Sequence, residues 1–407
     1  MISVLEKRLA SFVRRFMPGY DYIAILYKLI VYIFLARNSS QTLVSKNYKI
    51  ADVNSSLVGA TFFGYYDRHI ENKSGDFILI NIKDKVAFLH VYSPELQLLF
   101  DQKLPIWNLQ QGVLATWVND NEFIYNTVYR DNVVACRHNL RNNTNIYLPY
   151  PLQSLSLVTK RICSIDLAVL RKTRPEYSYT MCDISALSTN KKELLITDLN
   201  GNKEISISYS YLKKLAFEDT KINNFKLNHC IFSPSGRFVI FLARGWHLNN
   251  KVHALMCLDC NMGIVKPILQ GELVSHYNWL SDDRIVYWGT KDEIASYHII
   301  EMTSLEVLSV NTLRGDFRED GHPAPISYTE FITDTYPDRL RRSKLKRIII
   351  KKDYSSNVET IATLRQPFKY FGPRRVDLHP RTTDGTNIYI DSGHSGVRRL
   401  YKISKVL

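Results

Sequence analysis

Four histidines recur at matching places in the chain: His229, His276, His322 and His379, with spacings of 47, 46 and 57 residues. Each opens a stretch of one kind, a short polar turn followed by an apolar run. The stretches are LNHCIFSPSGRFVIFLARGW (227–246), VSHYNWLSDDRIVYWG (274–289), DGHPAPISYTEFITDTYPD (320–338) and VDLHPRTTDGTNIYIDSGHSG (376–396). Four imidazoles near one axis can bind a divalent metal, or act on a proton as general base. A single histidine before a strand more often bonds its own turn, so the chemistry depends on convergence. Other polar groups hold related places. Tyr65, Tyr66 and Asp67 stand where the first repeat would place its histidine, Arg244 and Trp246 end the run after His229, and Asp334 and Tyr336 end the run after His322. Arg374, Arg375 and Arg381 surround His379, and His394 ends the last run. A cation beside a base is what β-elimination from a uronate requires, because the carboxylate is neutralised while a proton leaves the neighbouring carbon. The same arginines would also simply hold an acidic glycan. Trp246, Trp279 and Trp288 are suited to stacking on sugar rings or to packing between structural units.

Convergence needs a scaffold with internal repetition. Past residue 55 the texture is one of short apolar or alternating runs, such as DFILINI (76–82), KVAFLHVY (85–92), RFVIFLA (237–243) and NIYIDS (387–392), bounded by Gly, Asn, Asp, Ser or Pro. These read as strands and turns. Weaker copies of the repeat lie upstream in GYYDRHIENKSGDFILI (64–80) and GVLATWVNDNEFIYN (112–126). A period near 45–50 with several short strands per repeat predicts a β-propeller, and residues 55–407 have room for about seven blades. One blade cannot bury both of its faces, so neighbours must stack, and equivalent residues of the innermost strands land on a ring around one channel. Residues 140–225 fit the repeat poorly and are expected to hold two blades with insertions.

The chain has 407 residues, 45% of them hydrophobic, with 53 Lys and Arg against 39 Asp and Glu, a formal net charge of +14. Global disorder is excluded, and an anionic partner is implied. Six cysteines show no framework spacing, and the lone pair Cys257 and Cys260 is better read as two strand residues than as half of a zinc site. Residues 22–36 (YIAILYKLIVYIFLA) are apolar or aromatic but for Lys28, with Lys7, Arg8, Arg14 and Arg15 ahead of them. The run falls short of the ~20 residues of a spanning helix. Residues 1–54 are therefore expected to form a basic helical segment lying in the cytosolic face of a membrane, with an uncleaved signal anchor or a core-packed helix as alternatives. Residues 55–407 are expected to form the propeller. The basic stretches RLRRSKLKR (339–347) and Arg374–Arg375 are read as a solvated hairpin and a channel rim, not as a nucleic-acid track. P-loop, dinucleotide-fold, serine-elbow and HExxH motifs are absent from the sequence.

The closing stretch DLHPRTTDGTNIYIDSGHSGVRRLY (377–401) resembles the last blade of TolB-like and oligogalacturonate-lyase-like seven-bladed propellers, with its HP pair, DG turn, apolar strand and LY ending. FFGYYDRHIENKSGDFIL, NHCIFSPSGRFVIF and SHYNWLSDDRIVYW are similar to a propeller group found among bacterial surface-polysaccharide genes. In the lyases, channel histidines hold manganese and another histidine is the base. The resemblance implies His276, His322 and His379 as metal ligands and His229 as base. From their places in the repeats, Arg244 and Arg381 are the expected catalytic cations, and Tyr66, Asp67, Trp246, Arg374, Arg375 and His394 the expected substrate-binding residues. The chain departs from the lyase pattern in its last blade: His379-Pro380-Arg381 replaces His-Pro-His, and Val376 stands in the place of a Gln.

These features together predict an all-β, seven-bladed β-propeller preceded by a membrane-associated helix. The expected function is capsular or other surface-polysaccharide biosynthesis on the cytoplasmic face of the bacterial inner membrane. The propeller would bind an acidic glycan, a polysialic-acid-type capsule among the candidates, or a lipid-linked sugar, beside glycosyltransferases of the same pathway. A metal-dependent polysaccharide lyase and a protein-interaction scaffold are the alternatives. A divalent metal, manganese by resemblance, is the candidate cofactor.

Overall fold

The computed structural model describes residues 42–406 apart from 188, 190, 219–220, 312–316 and 318, and also residues 26, 29–30 and 32–36. The membrane-helix expectation for residues 1–54 falls largely outside these residues. Among those described, no helix is long and apolar enough to cross a membrane.

The strands form seven antiparallel sheets, each a blade. In chain order the first six occupy residues 60–103, 116–147, 154–208, 222–270, 274–309 and 324–365, and the seventh is built on residues 387–405. Middle strands carry unbroken buried runs, such as Phe77–Asn81 and Val239–Ala243, because each blade is covered on both faces by its neighbours. Outer strands face water, as in Leu98–Lys103, where no residue is buried. Tryptophans join the blades: the indole N–H of Trp117 donates to Ile70 O at 2.9 Å, that of Trp279 to Ile231 O at 3.2 Å, and that of Trp288 to Phe317 O at 2.9 Å.

Closure of the ring uses residues from both ends of the chain. Within blade 7, residues around Leu378–Arg381 pair with Asn387–Ser392 through Arg381 and Tyr389, and Arg399–Lys405 lies beyond. The outermost strand of that blade is Tyr48–Asp52, paired with Arg399–Lys405. Leu43–Val44 adds a fifth strand to blade 6. Residues 43–52 therefore pair into blades 6 and 7, on the N-terminal side of the expected 54/55 boundary. The closure is reinforced by a buried clamp. Asp391 receives the Phe63 amide at 3.1 Å and pairs with Arg381 at 3.0 Å and Arg398 at 3.4 Å, tying the last blade to the first.

Residues 140–225 hold one whole blade where two were expected. Its second and third strands are separated by a helical insertion: α1 (Leu167–Thr173), a 3-10 turn (Pro175–Tyr177) and α2 (Ile184–Leu187). Asp166 caps α1 by accepting from the Ala168 and Val169 amides. A further helix, α3 (Tyr209–Phe217), leads into blade 4. Leu167, Leu170 and Leu212 are buried in the core shared by blades 3 and 4, which accounts for the loss of strand texture. Four antiparallel strands return the chain to the end where a blade began, so every innermost strand starts at the same mouth of the channel. The insertion lies at this starting mouth.

The closing strand generates a prediction. A chain beginning at residue 53, which lacks the buried Tyr48 ring and exposes the blade edge, should be less stable than the full-length chain by at least ~3 kcal/mol in urea titration.

Candidate functional site

The innermost strands bring the four histidines together around Tyr65 and Tyr66. Tyr65 lies 4.9 Å from His229 and 5.0 Å from His379, ring centre to ring centre, and Tyr66 lies 5.2 Å from His229 and 5.1 Å from His322. His276 packs on His322 at 4.1 Å, and His322 on His379 at 4.4 Å. The four histidines and both tyrosines are buried. His229 and His379 have φ of +60° and +44°, in the left-handed region that side chains with a Cβ enter at a cost. Strain of this kind at two residues of one cluster is typical of a site that places side chains for a purpose.

Three of the histidines are aimed by partners. His322 Nδ1 donates to Asp334 Oδ1 at 2.8 Å, and the same oxygen accepts the His322 amide at 2.8 Å. Asp334 Oδ2 accepts the His379 amide at 3.0 Å. His379 Nδ1 donates to the Gly64 carbonyl at 2.9 Å, and His276 Nδ1 lies 2.9 Å from Asp320 Oδ1. Both His322 Nε2 and His379 Nε2 are left buried without a partner. Asp377 is buried beside them, with Oδ2 held by Arg375 at 2.8 Å and Oδ1 unpartnered. One ligand atom from each of His322, Asp377 and His379 falls within 4.8 Å of the others. A histidine whose Nδ1 is anchored by a carbonyl or carboxylate while Nε2 points to its neighbours is the usual preparation of a metal ligand. Two imidazole nitrogens and one carboxylate oxygen fit a borderline divalent cation. Asp377 was not expected from the sequence; it stands two residues before His379 in a segment outside the regular strands, where no alternation pattern marks it. His276 touches His322 but lies outside this group of three.

Electrostatics divide the cluster. Burial pushes His229 and His379 well below the ordinary imidazole value, and neighbouring His276 and His322 respectively push further. Burial works against the charge of His322, but Asp334 outweighs it and raises its pKa. His229 has no partner on either ring nitrogen, so it is a neutral group with a free lone pair.

Above the histidines, at the starting mouth, stands a group of cations. Arg174, at the end of α1, pairs with Glu176 at 2.9 Å and lies over the Tyr177 ring at 4.8 Å, and Tyr177 reaches Tyr65 at 6.2 Å. Arg244 is buried and donates to Val274 O at 2.6 Å. Lys226 is buried, and its pKa is lowered to about 8 by burial and by the charges of Arg174, Arg244 and Lys251. The Lys251 ammonium lies 5.4 Å from the centre of the half-buried Trp246 ring. Arg375 joins through Asp377. Arg174 comes from the region that fits the repeat poorly, and Lys226 stands at the start of the blade 4 inner strand, three residues before His229, where the other repeats carry no matching lysine.

The remaining candidates are placed elsewhere. Arg381 is committed to Asp391 and to the Phe63 ring, 5.1 Å from the guanidinium. Arg374 is exposed at the end of a short 3-10 turn. His394 sits on the Tyr401 ring at 4.4 Å in blade 7, where burial lowers its pKa to about 4. Asp67 lines the opposite mouth of the channel. Cys257 is a buried strand residue, whereas Cys260 is buried in the turn that follows the strand, a correction to the expectation of two strand cysteines; burial raises both free thiols to about 12.

Comparison with solved structures agrees with this architecture. An oligogalacturonate lyase from Vibrio parahaemolyticus superposes with a TM-score of 0.60 at 14% identity, over 89% of this chain and 96% of that one. A structure described as oligogalacturonate lyase in complex with manganese gives 0.60 at 14%, over 90% and 98%. The propeller domain of the trilobed protease of Pyrococcus furiosus, described as having an open velcro topology, gives 0.50 at 9%, over 84% and 94%. At these identities the likeness establishes the propeller fold. No family profile matches the sequence, and no curated protein matches it.

The donor set yields a prediction. Calorimetric titration of chelator-treated protein with manganese should show one site per chain, and Asp377→Ala should weaken it at least tenfold while leaving the far-ultraviolet spectrum unchanged.

Proposed function

We propose that this chain is an acidic-glycan-binding propeller of bacterial surface-polysaccharide biosynthesis, of the capsular or polysialic-acid type, taking a glycan or a lipid-linked precursor at its basic mouth. The observation that carries this reading is the convergence of Arg174, Lys226, Arg244, Lys251 and Arg375 on one end of the channel, with Glu176 and Asp377 as partial counterions. Such a cation excess in a partly desolvated recess favours carboxylates strongly. Tyr65 and Tyr66 fill the channel between the histidines, so a glycan is held at the mouth and is not threaded through. The setting at the cytoplasmic face of the inner membrane, beside glycosyltransferases, is supported by the basic and apolar composition of residues 1–54 and by the sequence resemblance.

A divalent cation, manganese by analogy with the lyase neighbour, would be held by His322, Asp377 and His379 and would supply positive charge to a sugar carboxylate. The chain's own residues orient that carboxylate through Arg375 and the neighbouring cations. A second reading, metal-assisted β-elimination, is favoured by His229, whose free ring nitrogen could receive the proton from the carbon next to the carboxylate. Its low basicity in the buried site counts against rapid proton abstraction. The two readings part on one assay, since only the second gives an ultraviolet-absorbing unsaturated product.

Calorimetry with galacturonate and sialate trimers against maltotriose tests the proposal. An acidic trimer should bind and maltotriose should not, and Arg174→Ala should weaken binding roughly tenfold. Lys226 is an ammonium below about pH 8 and a neutral amine above it, so affinity should fall as pH rises from 7 to 9. Lys226→Arg should remove that dependence. Equal affinity for acidic and neutral trimers would overturn the reading.

A further inference from the structure

At the far mouth, where the innermost strands end, the channel opens into a cavity of about 400 Å³. All seven blades contribute to its wall, from Tyr66–His69 in the first to Thr382 in the seventh. The volume lies within the roughly 300–1,000 Å³ of small-molecule sites. Tyr66 forms the inner end, and the same ring packs on His229 and His322. The cavity is therefore a chamber distinct from the basic mouth.

Its chemistry differs from that of the basic mouth. Thr116, Ser154 and Thr382 line it beside Trp279, whose ring is buried between blades with its N–H on Ile231 O. Leu157 and Val158, 42% and 67% exposed, form an apolar rim. Among the described residues of the wall, the only carboxylate is Asp67, whose side chain is 4% exposed and whose Oδ1 accepts no hydrogen bond. Arg68 stands 3.8 Å from it but donates to the Gln153 carbonyl instead. A buried carboxylate oxygen without a donor calls for one from a ligand or from water. The adjacent Arg68 cancels the charge, so neither an anion nor a cation is selected.

We propose that this chamber binds one uncharged pyranose ring, with sugar hydroxyls donating to Asp67 Oδ1 and an apolar ring face against the exposed Leu157 and Val158 of the rim. The proposal is independent of the acidic-glycan reading, because none of the residues of the basic mouth takes part.

Saturation-transfer NMR on the full-length protein tests it, with methyl glycosides of glucose, galactose and N-acetylglucosamine, and with cellobiose. At least one should show transfer, and its affinity should fall about tenfold in Asp67→Asn and in Val158→Trp, which crowds the rim. Galacturonate-trimer binding at the basic mouth should be unchanged in both. Stronger binding of cellobiose than of the methyl glycosides would assign the chamber to a glycan end, and the reverse to a free monosaccharide. Absence of transfer from all four sugars would overturn the proposal. So would equal transfer in Val158→Trp, whose exposed position decides the matter even where Asp67→Asn loses stability.

Discussion

A single buried carboxylate, Asp334, holds the centre of this molecule together. One of its oxygens fixes His322 through both its amide and its ring, and the other fixes the amide of His379 in the next blade. Blade 6 is thereby joined to blade 7 at the point where both histidines stand beside Asp377. Burial alone would raise the pKa of this carboxyl, but His322 and the two amides lower it, so it stays ionised. Removing one partner of such a pair leaves the other charge buried and costs about 3–5 kcal/mol. The same interaction thus carries stability and aims the candidate ligands.

The channel is divided by chemistry. Tyr65 and Tyr66 form a partition, with histidines and cations on the starting side and a nearly neutral, hydroxyl-lined chamber on the other. The division follows from chain direction. Residues at the start of innermost strands, and in the insertions between second and third strands, gather at one mouth. Residues in the hairpin turns gather at the other. A protein that handles glycans can use both, one mouth for a carboxylate and one for an uncharged ring.

Much of the architecture was legible because one pattern repeats: histidine, polar turn, apolar strand. That repetition carried the seven blades and the meeting of His229, His276, His322 and His379. The closing strand Tyr48–Asp52 was not legible, because its partner lies some 350 residues away and five residues hold no periodicity. Neither were Arg174, which lies within the helical insertion of blade 3, and Lys226, which has no counterpart at the same place in the other repeats. Arg381 looked like a site residue from its place beside His379, yet its charge is committed to Asp391, whose role shows only once the ring closes. His394, similarly close in sequence, turns onto Tyr401 in the outer part of its blade.

The central claim is that an acidic sugar sits over the histidine cluster at the basic mouth. A cocrystal structure with a galacturonate or sialate trimer tests it most directly. The account predicts a sugar carboxylate among Arg174, Lys226, Arg244 and Arg375, on the starting side of the tyrosine partition. A trimer bound on the far side, or none at saturating concentration, would contradict it.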